Sequence, residues 1–314
     1  MEDFQTYAPE EIVLANLEEI LSRSLRIREQ ERAHLRELAV EIAAGFSDSG
    51  SFPEALTEHR LPLPTTPVGE EKTALPKELL LSESTRQRIL LCTELRALLP
   101  APQGLLQEFF FPASEEPDPA SFHRISYQRN NYTDLAYDRF SGFLHAPRAS
   151  YANGFASVCE EVYNGLSEYC ILPIENSSEG RLNSFSNLIK QYSLKIAATC
   201  EINTGEDRIT KFALLRKSLG VLRSLDSLPQ YFEFSCELSE YPRAEDLLVA
   251  ARYAGLTPIR TELRPRNENG GVQTLHAVLD IEDGDLPAFL LYLFMELPNA
   301  NPIGLYHNIP LRLS

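Results

Sequence analysis

The chain has 314 residues, of which 43% are apolar and 24% charged, so it is long enough for two or three domains that each bury a core. Its formal net charge of −16 disfavours binding to nucleic acid or to anionic lipid, because both attract positive surfaces. No apolar run is long enough to cross a membrane and the acidic start has no basic leader, so we expect a cytoplasmic protein. Five cysteines without paired spacing are expected to be reduced core residues rather than metal ligands: Cys92, Cys159, Cys170, Cys200 and Cys236.

Residues 1–120 are predicted to be a helical module with a proline-rich linker. Helical spacing of apolar residues from Pro9 to Phe46 predicts one long helix, or two with a break. Five prolines in residues 51–76 predict a linker. Ser82 or Ser84 is expected to cap a helix that runs to Leu99, after which five more prolines up to Pro119 predict an extended connection.

Residues 121–225 alternate between strand and helix patterns, which predicts a mostly parallel sheet with helices on its faces. The predicted strands are Arg124–Tyr127, Tyr169–Ile174, Leu194–Ile202 and Lys211–Arg216, and the predicted helices are Thr133–Phe143, Phe155–Gly165 and Leu182–Tyr192.

Residues 228–314 follow the order βαββαβ, which predicts a ferredoxin-like sheet covered by two helices. The elements are strand Gln230–Leu238, helix Ala244–Ala254, strands Thr257–Leu263 and Thr274–Ile281, helix Leu286–Glu296 and strand Pro302–Ile309.

The most specific motif is the segment Pro173-Ile-Glu-Asn-Ser-Ser-Glu-Gly180 at the end of a buried strand. Ligands bind at such strand ends in open α/β sheets. Asn176 and the two serines that follow could instead cap the next helix without any ligand.

With the strand before it, from Tyr169, this motif resembles the signature of prephenate dehydratases. Thr210-Lys-Phe212 is similar to the Thr-Arg-Phe motif of that family. The C-terminal unit resembles the ACT regulatory domain of the family: Glu262-Leu-Arg-Pro265 is similar to Glu-Ser-Arg-Pro, and Pro242-Arg-Ala244 and Ile303-Gly-Leu-Tyr306 match two further marks. The implied fold class is α/β and α+β: an N-terminal helical segment, a dehydratase-like domain and a βαββαβ ACT domain.

The resemblance implies roles for individual residues and no metal or cofactor. Thr210 would protonate the leaving hydroxyl, Asn176 and Ser177 would orient the substrate, and Glu175 would hold the loop. Further substrate-binding residues would be Ser178, Lys211, Phe212 and Arg208, and a regulatory amino acid would contact Glu262, Leu263, Arg264, Pro265 and Ala244.

The sequence also departs from the family pattern. Only the segment from Asn203 to Ile209 stands where the family builds a second catalytic lobe, which predicts a turn between neighbouring strands and a one-lobed, truncated domain. Tyr127–Thr133 lacks the glycines of the family's substrate loop. Leu263, Arg243 and Glu245 replace family residues of the regulatory site.

These departures favour a catalytically weakened member of the family that binds a small ligand, prephenate or an aromatic amino acid, and dimerises through its ACT domain. An active dehydratase, a carbon–oxygen lyase that acts alone or with its site completed by a second chain, is one alternative. Another is an adaptor that docks an aromatic-pathway enzyme through its N-terminal helices. A chorismate mutase is a third possibility for those helices, whose arginines (Arg23, Arg26, Arg28, Arg32 and Arg36) also fit an ordinary solvated face.

Overall fold

The computed structural model describes residues 9–48, 77–99, 122–178, 180–205, 208–220, 222, 229–238, 241–265 and 273–310. The chain divides into two compact units, Met1–Pro100 and Ala101–Ser314. The predicted linker at 51–76 and the proline-rich connection from Pro100 to Pro119 lie outside the described residues.

The first unit contains two helices that pack against each other, α1 (Pro9–Asp48) and α2 (Lys77–Leu98). α1 is one unbroken helix. Arg32 on α1 donates to Glu94 on α2 at 2.7 Å, so the charged face of α1 is partly a helix–helix contact. The predicted cap at Ser82 or Ser84 is wrong, because α2 already begins at Lys77 and Ser84 is buried within it. The segment from Lys77 to Leu81 consists of strong helix formers, which extend the helix by more than a turn.

The second unit contains five helices and ten strands among its described residues. The helices are α3 (Asn131–Ser141), α4 (Phe155–Tyr163), α5 (Asn183–Gln191), α6 (Ala244–Tyr253) and α7 (Leu286–Glu296). The strands are β1 (Arg124–Tyr127), β2 (Arg148–Tyr151), β3 (Tyr169–Asn176), β4 (Gly180–Arg181), β5 (Lys195–Gly205), β6 (Arg208–Arg216), β7 (Tyr231–Leu238), β8 (Thr257–Pro265), β9 (Gln273–Asp280) and β10 (Asn301–Ile309).

One mixed sheet runs in the order β2-β1-β3-β6-β5-β10-β7-β9-β8, and β4 pairs with β3. β1 is parallel to β2 and β3, whereas β6 is antiparallel to both β3 and β5. The mostly parallel sheet predicted for residues 121–225 is therefore present only at the β2-β1-β3 end. Gly205 of β5 pairs directly with Arg208 of β6, so these two strands are sequence neighbours with at most a short connection between them.

The last six elements confirm the predicted βαββαβ order. β10, β7, β9 and β8 are neighbours in that order and all antiparallel, which is the ferredoxin-like arrangement. β10 also pairs in parallel with β5. The four-stranded sheet is therefore continuous with the sheet of β1 to β6, which is called the dehydratase-like sheet below. Gly304 lies at the junction, opposite Ile196.

Two apolar cores lie on the two faces of the dehydratase-like sheet. One contains Phe140 of α3 together with Phe212, and the other contains Val158 of α4 and Phe185 of α5. All five cysteines are free and buried, as predicted. In the described part of the chain, no helix is long and apolar enough to span a membrane.

Candidate functional site

The Pro173–Gly180 motif forms a strand end and a tight return. After Asn176 the chain turns through Ser177 and Ser178, and β4 runs back antiparallel to β3, with Asn176 paired to Gly180. Gly180 has a φ of +70°, a left-handed conformation that glycine adopts without strain. The helix-cap interpretation of the motif is wrong, because β4 intervenes and the residue that caps α5 is Leu182.

A cleft of about 550 Å³ opens at this strand end. It is lined by Asn130, Tyr132, Thr133, Phe155, Pro173, Asn176, Ser178, Thr204, Arg208, Thr210 and Phe212. Asn176 and Thr210 are direct partners in the β3–β6 ladder. The Thr210 hydroxyl is hydrogen-bonded to the Thr204 hydroxyl at 3.1 Å, so the predicted acid is held between two strands at the edge of the cleft.

The amide of Asn176 is oriented by its own turn. Its Oδ1 atom accepts from the Ser178 N–H at 3.0 Å and from the Ser178 hydroxyl at 2.9 Å. This is an Asx turn, in which a side-chain oxygen takes the place of a backbone acceptor. These two contacts hold the Asn176 amide in one orientation at the edge of the cleft.

The opposite wall comes from the start of α3, which sequence reasoning missed. Asn130 caps this helix by accepting from the N–H groups of Tyr132 and Thr133 at 2.9 and 3.0 Å. The Tyr132 hydroxyl donates to the Thr204 carbonyl at 2.8 Å and joins the helix to β5. This segment belongs to Tyr127–Thr133, which contains no glycine. The Asn-x-x-Thr cap was a signal for a helix start, although not for a cleft wall.

The cleft offers polar groups and an apolar floor but little charge. Among its described lining residues Arg208 alone is charged, and it is exposed. The N-terminus of α3 adds a partial positive charge. Phe155, Pro173 and buried Phe212 present apolar surface. The arrangement can therefore hold a small ring with one carboxylate and place a hydroxyl donor, Thr210, beside it.

Three of the predicted site residues are separated from this cleft. Glu175, Ser177 and Lys211 line a second cavity of about 490 Å³, because side chains alternate between the two faces of a strand. Ser177 instead closes the strand pair, accepting from the Ile209 N–H at 3.1 Å and donating its own N–H to the Ile209 carbonyl at 2.9 Å. The structure thus brings together Asn176, Ser178, Arg208, Thr210 and Phe212.

Two of the predicted regulatory residues, Glu262 and Arg264, form an ion-pair cluster with Arg260 on β8. Glu262 accepts from Arg260 at 2.7 Å and from Arg264 at 2.8 Å. Burial raises the pKa of Glu262, but the two arginines lower it more, so the net direction is down. Leu263 is 52% exposed and Ala244 is the first residue of α6. Of the predicted residues whose side chains the structure describes, Glu262, Leu263, Arg264 and Ala244, none lines either of the two cavities described above.

The described part of the chain contains no group of three His, Cys, Asp or Glu side chains that could hold a metal ion.

Comparisons with known proteins place the cleft in a family context. Residues 128–207 match the family model of prephenate dehydratase. Similar solved structures include prephenate dehydratase from Streptococcus mutans (TM-score 0.48, 17% identity, 59% of this chain and 98% of that chain covered). Prephenate dehydratase from Arthrobacter aurescens in complex with L-Phe has a TM-score of 0.44 at 15% identity, covering 60% and 90%. GqqA, described as a novel type of quorum quenching acylase, has a TM-score of 0.44 at 16% identity, covering 59% and 94%. No curated protein matches the chain.

Proposed function

We propose that this chain, whose residues 128–207 are a prephenate dehydratase segment, binds a small cyclic carboxylate such as prephenate in the cleft between β3, β6 and α3, and turns it over only weakly. The observation that carries the proposal is the placement of Thr210, Asn176 and Arg208 around one cleft. A hydroxyl donor, an amide and a guanidinium are the groups that a hydroxylated ring with a carboxylate requires.

Dehydration of prephenate requires only a proton donor and groups that orient the substrate. The bond from the ring to its carboxylate breaks and releases carbon dioxide, its electrons complete the aromatic ring, and the ring hydroxyl leaves as water after taking one proton. The protein must supply that proton and hold the two carboxylates in place. Thr210 fits the donor, and Arg208 fits one carboxylate through a charge-assisted hydrogen bond.

Weak turnover follows from what surrounds these groups. Prephenate carries two carboxylates, but the described lining of the cleft has one cationic side chain, in a chain with a net charge of −16. Asn130, Tyr132, Ser178 and Arg208 are all exposed at the rim, so water reaches the cleft. Water exclusion and fixed geometry supply several kcal/mol of barrier lowering in acid catalysis, and this cleft forgoes part of both.

The test is a pair of measurements on the purified full chain. Thermal unfolding with and without prephenate reports binding, since a ligand that selects the native state raises Tm. Absorbance of phenylpyruvate in base reports turnover. We expect binding with slow turnover, loss of turnover but not of binding in Thr210→Ala, and partial retention in Thr210→Ser. Turnover in the ordinary range of about 1 to 10³ per second would show an active dehydratase instead. Absence of both signals would overturn the proposal.

We further propose that the βαββαβ portion acts as an ACT-type domain and pairs with a second copy. β8 is an edge strand of the sheet, and Leu263 on it is 52% exposed. Edge strands with exposed apolar side chains are prone to pair with another chain.

The five free, buried cysteines support a reducing compartment such as the cytoplasm.

Docking of another protein is the second candidate function, and one feature of α1 favours it. Leu17, Ile20, Leu21 and Leu25 form a stripe at helical spacing, and each is between 49% and 63% exposed. Such a stripe suits packing against a partner helix, for example on an enzyme of the aromatic pathway. Replacing Leu17, Leu21 and Leu25 by Glu should abolish co-elution with that enzyme. If wild type and variant elute alike with each aromatic-pathway enzyme, the docking candidate is wrong.

A further inference from the structure

The second cavity, of about 490 Å³, lies on the face of the sheet that Lys211 occupies, whereas Thr210 lines the cleft. β3, β5 and β6 line it on one side, and β7 to β10 line it on the other. It therefore spans the junction between the dehydratase-like sheet and the ferredoxin-like sheet. Six of its described lining residues carry charge, three acidic and three basic: Glu175, Glu201, Glu233, Arg181, Lys211 and Arg260.

The floor of the cavity is a buried polar network around Glu233, whose side chain is 1% exposed. Arg181 donates to this carboxylate at 2.5 Å, His276 Nε2 lies 2.9 Å from it, and the Tyr306 hydroxyl donates to it at 3.0 Å. Burial raises the pKa of Glu233, but Arg181 and His276 outweigh that effect and lower it to about 2. The carboxylate is thus ionised and already satisfied, so the floor is a fixed scaffold.

Arg181 gives the floor a second unusual property. Its side chain is 6% exposed, and its Nε–H is buried without a hydrogen-bond partner among the described residues. Unpaired buried donors are uncommon in native proteins, and each calls for an explanation. The floor is therefore a polar site rather than ordinary core.

At the rim of the cavity, the positive charge of Arg260 is balanced by neighbouring carboxylates. Arg260 donates to Glu175 at 2.8 Å and to Glu262 at 2.7 Å. Its charge is thereby shared between two carboxylates and is not available to attract an anion strongly. The two ion pairs Arg181–Glu233 and Arg260–Glu175 account for four of the six charges in the cavity.

The remaining two charges, Glu201 and Lys211, are direct cross-strand partners on β5 and β6. Cross-strand Cβ atoms lie about 5 Å apart, close enough for such side chains to pair. Among the described residues, however, neither has an ion-pair partner, and the Lys211 ammonium lies 5.8 Å from the centre of the Tyr231 ring. One carboxylate and one ammonium therefore line the same cavity side by side, and neither belongs to an ion pair among the described residues.

From this geometry we infer that the second cavity binds a free α-amino acid with an apolar side chain, its carboxylate on Lys211 and its ammonium on Glu201. A zwitterion satisfies both groups at once and has no net charge to oppose the acidic chain. A dicarboxylate would place a negative charge against Glu201, and a diamine would place a positive charge against Lys211. The apolar side chain would pack on Ile174, Ile259 and Val278.

This site differs from the regulatory site that the sequence predicts at Glu262–Pro265 and Ala244, none of whose described side chains lines the cavity. It also differs from the cleft, although β3 and β6 contribute to both and Asn176 lines both. The volume is within the range of small-molecule pockets, about 300 to 1,000 Å³, and exceeds that of one amino acid.

The first test varies the ligand and leaves the protein unchanged. Isothermal titration calorimetry would compare L-leucine and L-phenylalanine with analogues that lack the amino group, 4-methylpentanoate and 3-phenylpropanoate, and with the amines that lack the carboxylate. We expect at least one amino acid to bind and both of its analogues to bind at least about tenfold more weakly. Equal binding of the carboxylate analogue, or no binding of either amino acid up to about 10 mM, would overturn the inference.

The second test locates the ligand. Lys211→Gln and Glu201→Gln should each weaken amino-acid binding about tenfold or more. Arg208→Gln, which changes the cleft on the other face of β6, should leave amino-acid binding intact. Circular dichroism and Tm check that each variant is folded. If Arg208→Gln abolishes binding while Lys211→Gln preserves it, the amino acid occupies the cleft and the inference is wrong, whatever the outcome of the prephenate experiment.

Discussion

Thr210 and Lys211 are consecutive residues of β6, yet Thr210 lines the cleft and Lys211 lines the second cavity. Side chains of a strand alternate between its faces, so a motif of three residues cannot direct all of them at one ligand. Thr210 and Phe212 share the cleft, and the cation that serves them is Arg208, two residues earlier on the same face. One strand thus forms a wall of two separate cavities.

The two neighbouring cations give a matched pair of variants for the cleft. Arg208→Gln should weaken prephenate binding about tenfold, because a charge-assisted contact to a carboxylate is worth roughly 1.5 kcal/mol or more. Lys211→Gln, one face away, should leave prephenate binding within about twofold of wild type. Calorimetric titration of prephenate into each variant checks both. Equal losses in the two variants would mean that prephenate does not sit in the cleft.

Much of the second unit could be predicted because its strands carry clear patterns. β3 is a continuous buried run, and the βαββαβ order follows from strands and helices of ordinary length. β2 could not be predicted, since its four residues lie on the sheet edge and show no alternation of burial. β4 is only two residues long, which is too short for any periodic signal, and it displaced the expected helix cap.

The distribution of the site residues over two cavities was harder to foresee. The sequence places Glu175, Asn176 and Ser177 together, but the register of β3 against β6 and the direction of the turn decide which of them face the cleft. Arg181 and Glu233 are 52 positions apart in the chain and meet only because β10 joins the two sheets. Nothing local in the sequence signals such a contact.

The proposed pairing through β8 predicts an effect of one exposed side chain. Leu263→Glu introduces a charge on the edge strand, which should oppose association with a second copy. We expect the mass measured by sedimentation to fall from that of a dimer to that of a monomer. Leu135→Glu, at an equally exposed leucine on α3, is the control and should not change the mass. A wild-type chain that is monomeric at micromolar concentration would contradict the proposal directly.

We expect the free energy of unfolding to depend on pH through the buried carboxylate of Glu233. Its folded-state pKa of about 2 lies below the ordinary value of 4.5, so ionised Glu233 stabilises the fold fully above about pH 4.5, and this is lost as the pH falls towards 2. The full contribution is roughly 3 kcal/mol. Glu233→Gln leaves Arg181 buried without its counter-charge and should be less stable at pH 7.

The measurement is urea unfolding between pH 7 and pH 3 for wild type and Glu233→Gln. The difference in free energy of unfolding between them should shrink as the pH falls below 4.5, because wild type alone must protonate this carboxyl group. Glu160→Gln, at an exposed position on α4, should show no such convergence. A constant difference over the whole range would show that Glu233 does not have a depressed pKa.

A larger residue at Gly304 is expected to destabilise the junction between the two sheets, because β10 and β5 are in close contact there. A Cβ atom at this position would lie 2.8 Å from Ile196 Cβ on β5 and 2.7 Å from the ring of Tyr306, whose hydroxyl is bonded to Glu233. Gly304→Ala should therefore destabilise the fold by about 1 to 3 kcal/mol in urea unfolding. Gly205→Ala, with no atom within 4 Å of the new methyl, is the control. If Gly304→Ala is as stable as Gly205→Ala, the close approach of β10 to β5 at this position is wrong.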